Sequence, residues 1–533
     1  MKPKYPLLLA GLFAIAFTAS ASAKTLVYCS EASPETFNPL LGTADSTMDA
    51  SARTMFDRLV EFKPGSTEIV PGLAERWEVS SDGKIYTFHL RKGVKFQSNG
   101  DFSPSRDFDA DDVLYTFNRQ LDTKNPFYKI GGGRYEYFSS SGLDKLISNI
   151  DKIDENTVRF KINSPDVTFL ANLAMSYLSM LSLEQAEAYV KEGNADKLDQ
   201  TPVGTGPFKL IAYQQDAVIR YQAFDNYWKG RPNIDDLIFA ITKDPNTRTQ
   251  KMLAGECDVS TLPLQADLPS LRNDSNLELQ NLVAQNIGVV GFNVKRPQLA
   301  DVQVRRALAM AINRAAIVKT VYGEAGAGAR GFVPREQLGA VSSDLADPNK
   351  YDPAQARALL KEAGHDGDLS LKIWAMPVSR PYNPNARRMA EMVQADWAAI
   401  GVKAEIVTME WSEYLQRTAA GEHDVYLLGG TTDNGDPDNL LSYMLSCSAV
   451  SGGSNRSRWC DEDFQALLNR GRTTQNRDER IKIYREAQAI IDKEVPLLSV
   501  ASSIVYVPVN KRVIGYEIDP FNRHIFTTVD VSE

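Results

Sequence analysis

The sequence predicts an exported α/β protein whose domains are assembled from interleaved segments. Three observations carry this: an ordinary globular composition, a short apolar segment at the N-terminus, and alternating strand and helix patterns after residue 369. The 533 residues are 43% hydrophobic and 24% charged, with 59 Lys and Arg against 68 Asp and Glu, for a net charge of −9. Such a composition excludes disordered and collagen-like chains. At roughly 150 residues per domain, the length suits about two to four domains. An acidic balance argues against nucleic acid as a partner, because phosphates call for clustered Lys and Arg. The four histidines, His89, His365, His423 and His524, stand too far apart to suggest a metal site.

The N-terminal segment sets the compartment. Lys2 and Lys4 precede an apolar run from Leu7 to Phe17, and Ala21-Ser22-Ala23 follows with small residues. This is the pattern of a secretory signal peptide over residues 1–23, cleaved before Lys24. The run is shorter than the ~20 residues a membrane span requires. The mature protein is expected to be soluble, exported and monomeric.

Export changes how Cys29, Cys257, Cys447 and Cys460 are read. Four thiols in an oxidising compartment make two disulfides the default, with three connectivities possible. Cys447 and Cys460 flank the turn-rich Ser451-Gly452-Gly453-Ser454-Asn455, which suggests a local staple contributing about 3 kcal/mol. Cys29 and Cys257 would then form a long-range tie.

Taken in order, Ile85 to Leu90 alternates as a strand, with Tyr86, Phe88 and Leu90 on one face. Asp109-Ala110-Asp111-Asp112 reads as the cap and first turn of a helix. Further on, Leu369, Leu371 and Ile373 mark a strand. Asn383-Pro384 suggests a cap and first residue for a helix reaching Ile400, with Gly401 as its stop. Val402 to Val407 is a second strand, Trp411 to Ala420 a helix ended by Gly421, and Asp424 to Leu428 a third strand. This βαβαβ series implies a largely parallel sheet. Ligands bind beyond the carboxyl ends of such strands, where the loops 376–382 and 429–439 lie.

Catalytic signatures fail. No G-x-x-x-x-G-K-[ST], H-E-x-x-H or G-x-S-x-G occurs. Gly326-Ala327-Gly328-Ala329-Arg330-Gly331 matches G-x-G-x-x-G but follows a helical pattern and precedes Pro334, so it reads as a flexible loop. Asp433-Asn434-Gly435-Asp436-Pro437-Asp438-Asn439 invites a calcium reading. The EF-hand positions for Gly and Glu hold Asp438 and Met444 instead. No enzyme, cofactor or metal site is expected.

Several segments resemble the family 5 extracellular solute-binding proteins of ABC importers. They are Pro71-Gly72-Leu73-Ala74-Glu75-Arg76-Trp77, Thr87-Phe88-His89-Leu90-Arg91, Gly204-Thr205-Gly206-Pro207-Phe208 and Val304-Arg305-Arg306-Ala307-Leu308. The likeness spans Lys24 to the C-terminus. Met376-Pro377-Val378-Ser379-Arg380-Pro381-Tyr382-Asn383-Pro384 and the 433–439 loop are similar to those of its dipeptide-binding members.

The resemblance implies a two-lobed periplasmic-binding-protein clamshell of the peptide-binding type, with an extra appended domain. Lobe I would comprise residues 24–55, 208–283 and 504–533, the appended domain 56–207, and lobe II 284–503. It implies the pairings Cys29–Cys257 and Cys447–Cys460. It also implies that Asp433 holds the ammonium of a dipeptide and Arg380 its carboxylate. The physical logic is independent: a dipeptide is a zwitterion, and buried charges must be paired. Arg presents a planar fork suited to a carboxylate. By the same resemblance Trp411, Tyr382 and Tyr135 wall the pocket and Thr43 meets the peptide backbone. The implied partner is an inner-membrane ABC permease; a rival reading, compatible with transport, is a sensor subunit that docks on a chemoreceptor. Sibling ligands within the family are longer peptides, haem and metal chelates. Gly131-Gly132-Gly133-Arg134 before Tyr135, and Asp45 beside Thr43, depart from the dipeptide-binding pattern and bear on side-chain preference.

Overall fold

The computed structural model describes residues 23–532 apart from 43, 134, 335–336, 338–346, 348, 433 and 453. The expected signal segment therefore lies almost wholly outside the described residues, as do Thr43 and Asp433. Among the described residues no helix is long and apolar enough to cross a membrane.

Strand β1 (Thr25–Cys29) buries Leu26, Tyr28 and Cys29. The chain then departs to build an antiparallel sheet from β2 (Ala74–Val79), β3 (Ile85–Leu90), β4 (Ile147–Asp154) and β5 (Thr157–Ile162), in the order β2-β3-β5-β4. In β3 the expected alternation holds, with Tyr86, Phe88 and Leu90 buried. Helix α1 (Ala110–Leu121) packs beside this sheet. Its acidic start is a reciprocal cap: the Asp109 carboxylate accepts from the Asp111 N–H at 2.8 Å, and Asp112 accepts from the Asp109 N–H at 3.0 Å.

The chain returns through β6 (Phe208–Gln214), β7 (Val218–Ala223), β8 (Asp236–Ala240) and β9 (Val259–Ser260), giving the order β9-β1-β8-β7-β6. Here β1 runs parallel to β8 and β9. One continuous apolar core joins this sheet to residues of the long segment between β1 and β6, from Leu26 and Phe239 to Phe88, Phe117 and Phe160.

Strand β10 (Leu277–Val283) leads straight into β11 (Asn286–Phe292), which opens a second unit with its own core. That unit adds β12 (Gly326–Gly328), β13 (Ser370–Ala375), β14 (Lys403–Val407) and β15 (Val425–Thr431), then β16 (Leu497–Asn510). The second sheet runs β14-β13-β15-β11-β16. Only β14, β13 and β15 are mutually parallel, whereas β11 is antiparallel to both its neighbours. The sheet is mixed rather than largely parallel, because two of its strands come from the segments that cross between units. Gly326–Gly328 is likewise no free loop: it pairs with Ala501–Ser503 of β16.

The two sheets share β16. Its first residues, Leu497–Ala501, pair with β11, and Ile504–Asn510 pair with β10. The chain thus crosses between units at Ala284–Gln285 and at Ser502–Ser503. Away from this crossing the units meet again. The Asn434 side-chain amide donates to Asn172 Oδ1 at 2.9 Å, and the Val167 N–H donates to the Arg472 carbonyl at 2.9 Å.

Two disulfides join Cys29 to Cys257 and Cys447 to Cys460. The first lies in a small cluster with Met252, Leu271 and Leu277.

Candidate ligand-binding site

Strands β13 and β15 pair in parallel through Ile373–Val425, Trp374–Tyr426 and Ala375–Leu427, so their carboxyl ends open at one edge. The loop leaving β13 folds back at once. The Arg380 N–H donates to the Asn383 carbonyl at 3.1 Å, and the Asn383 N–H donates to the Arg380 carbonyl at 2.9 Å. Pro384 disfavours a helical conformation at the preceding residue, which holds Asn383 in this turn. The helix cap therefore falls two residues later than the sequence suggested. Asn385 accepts from the Arg388 N–H at 3.0 Å and starts α2 (Ala386–Ala398).

The turn presents Arg380 outward, and its guanidinium sits 5.3 Å over the Trp411 ring. Trp411 opens α3 (Trp411–Ala420) and stacks on Tyr414 with centroids 5.7 Å apart. Tyr414 is fully buried. Its hydroxyl lies 2.8 Å from the Leu427 carbonyl and 3.3 Å from that of Trp374, which fixes the stack to both β15 and β13. Arg380 thus rests on a rigid aromatic base, and none of the described carboxylates forms an ion pair with it.

Tyr382 sits beside it, half-buried. Burial pushes its phenol pKa up, and the adjacent Arg380 guanidinium partly offsets this. Its carbonyl accepts from the Tyr322 hydroxyl at 2.7 Å. Beneath it lie Gly288 and Gly429, directly paired across β11 and β15. A Cβ on Gly288 would stand 2.1 Å from the Tyr382 carbonyl oxygen, and one on Gly429 would stand 2.5 Å from the Tyr382 ring. These glycines seat the arginine turn on the sheet. Sequence reasoning missed them and Tyr322. The available signal was two glycine-containing strands, Ile287-Gly288-Val289 and Leu428-Gly429-Gly430.

The second loop leaves β15 and enters α4 (Pro437–Leu445). Asp436 caps that helix and receives the Arg480 guanidinium at 2.7 and 2.9 Å. Asp438 is buried and pairs with Arg472 at 2.9 Å. Both acids are engaged within their own unit, which accounts for the acidic run without calcium. Among the described residues no group of three or more His, Cys, Asp or Glu could hold a metal. Asp433 itself lies outside the described residues, between Thr432 and Asn434.

Arg380, Tyr382 and Trp411 are therefore brought together, whereas Tyr135 stands elsewhere. It is buried in the first core, where its hydroxyl donates to the Tyr128 carbonyl at 2.9 Å and accepts from Arg119 Nε at 3.1 Å. That hydroxyl is engaged by the protein.

Two α/β units joined by crossing strands, with a cationic turn at the carboxyl edge of one, define the periplasmic-binding-protein class. Residues 68–452 match the profile of the bacterial extracellular solute-binding proteins, family 5 (middle region). The chain is 50% identical over 523 residues to the dipeptide-binding protein of Escherichia coli K12, covering 98% of this chain and 97% of that one. It is 42% identical over 512 residues to heme-binding protein A of Haemophilus influenzae, covering 96% and 93%. A dipeptide-binding protein from Pseudoalteromonas sp. SM9913, solved with Met-Leu, superposes with a TM-score of 0.82 at 38% identity, covering 96% of this chain and 100% of the other. The chain belongs to the family 5 bacterial extracellular solute-binding proteins.

Proposed function

We propose that this protein captures dipeptides in the periplasm and delivers them to an inner-membrane ABC permease, without chemistry on the ligand. The observation that carries the reading is the Arg380 guanidinium, held over Trp411 at the strand edge and ion-paired to none of the described carboxylates. A peptide carboxylate supplies the missing partner in fork geometry. Asp433 takes the ammonium of the ligand, and Thr43 meets its peptide backbone. The solved relative with Met-Leu and the Escherichia coli dipeptide-binding protein support the choice of ligand.

Residues 24–55, 208–283 and 504–533 move as lobe I, carry the 56–207 insertion with them, and close against 284–503. Ligand favours the state it contacts more fully, so binding shifts the population toward the closed form. The closed form is what the permease recognises. The test is thermal and scattering measurement against a dipeptide panel and haem. A dipeptide at 100 times its Kd adds about 2.7 kcal/mol to stability, and the radius of gyration falls. No dipeptide response, with a Soret shift on adding haem, would overturn this reading in favour of the haem-binding sibling.

A further inference from the structure

The two crossing segments are built unequally. Asn286 and Ser503 hold one another fully: the Asn286 amide donates to Ser503 Oγ at 2.8 Å, and the Ser503 N–H donates to Asn286 Oδ1 at 3.0 Å. Gln285, one residue earlier, has its backbone stretched between the lobes. Its N–H donates to the Pro520 carbonyl in lobe I at 3.3 Å, and its carbonyl accepts from the Thr432 N–H in lobe II at 2.8 Å. Its side chain has no such support. Gln285 is 1% exposed, and neither Oε1 nor Nε2 has a hydrogen-bond partner among the described residues. The Thr432 hydroxyl, on the residue it holds, is equally buried and has no partner among the described residues.

Buried polar groups without partners are costly, because water would satisfy them. Other orphaned atoms, such as Gln120 Oε1 and Trp374 Nε1, belong to elements within one unit. Those of Gln285 and Thr432 lie where the two units pivot. A change in the angle between the units would change the access of water to them.

We propose that Gln285 is a positioning residue that sets ligand affinity from the strand crossing: its unpaired amide opposes closure and holds the ligand-free protein toward the open state. The proposal rests on the clamshell reading above. The observed affinity of a protein whose binding-competent state is partly populated is reduced by that fraction. An apolar side chain of similar shape removes the penalty and raises the closed fraction.

The experiment compares wild type with Gln285→Leu and Gln285→Met, by calorimetry against several dipeptides and by small-angle scattering without ligand. Both variants should bind about tenfold more tightly, equivalent to about 1.4 kcal/mol. The order of preference among dipeptides should be unchanged, and the ligand-free radius of gyration should be smaller. Weaker binding with an altered preference order would overturn the proposal by making Gln285 a ligand contact. Unchanged affinity and radius in folded variants would overturn it by showing that the amide has no part in closure. Loss of cooperative melting in one variant leaves the other to decide, and loss in both shows the amide to be structural. A wild type that neither binds nor compacts with dipeptide defeats the functional reading instead, whatever the variants do.

Discussion

The two loops at the strand edge of lobe II use charge in opposite ways. The 376–382 loop holds Arg380 outward on an aromatic stack, ion-paired to none of the described acids. In the 434–438 stretch, Asp436 and Asp438 turn inward onto Arg480 and Arg472. One charge has no ion-pair partner among the described carboxylates, and the others are already neutralised and shape the backbone. A run of acids in a sequence is therefore a poor guide to which acid is available. The acids at 436 and 438 serve the scaffold, and the proposed anchor at 433 is set apart from them by neither residue type nor local charge.

The largest effect expected from this contrast is on stability. Asp436→Ala removes a helix cap and strands the buried Arg480, whose side chain is 9% exposed, so unfolding free energy should fall by about 3–5 kcal/mol in urea titration. A loss under about 1 kcal/mol would place Asp436 with the available charges. Next comes binding. Asp433→Ala should weaken dipeptide affinity by about 2–5 kcal/mol by calorimetry, with N-acetylated ligand affected far less than free ligand. Equal responses to both ligands would remove Asp433 from the ammonium role.

A smaller effect concerns acid. Burial holds the His423 imidazole neutral, its pKa lowered from 6.5 to about 3. The unfolded chain takes up a proton near pH 6.5 that the folded chain refuses. The stability this contributes is present above pH 6.5 and is lost as pH falls toward about 3, amounting to about 2 kcal/mol by pH 5. Burial lowers the His524 pKa in the same direction. His423→Phe should flatten the urea-derived stability slope between pH 7 and 5, and an unchanged slope would contradict the assignment. The smallest effect belongs to Arg387, whose side chain is 71% exposed. Arg387→Ala should change binding and stability by no more than about 0.5 kcal/mol, and a larger loss of affinity would show that proximity to the loop, rather than the geometry of Arg380, determines binding.

Local patterns in the sequence translated well. The alternation at Ile85–Leu90, the cap at Asp109 and the β13–α2–β14–α3–β15 series all appear, because each is decided within a few residues of chain. Strand direction across the sheet was not legible, since β11 and β16 arrive from opposite ends of lobe II and no strand's own pattern names its partner. Arg380, Tyr382 and Trp411 were legible as a group through the family likeness. The glycines that seat them were not: Gly288 and Gly429 matter only because β11 and β15 pair at those positions, far apart in the chain. Asn383 was misjudged as a cap because Asn-Pro suits a turn as readily as a helix start. The orphaned amide of Gln285 has no sequence signature at all.

The central claim is that Arg380 is the carboxylate anchor. Calorimetry of wild type and Arg380→Ala, each with one dipeptide in free and C-terminally amidated form, tests it most directly. Removing either partner of a charge pair in the closed site should cost about 2–5 kcal/mol, so amidation should weaken wild-type binding by about 30-fold or more. In Arg380→Ala, amidation should change affinity by no more than about threefold, because the partner of the carboxylate is already gone. If amidation weakens both proteins equally, Arg380 does not hold the carboxylate.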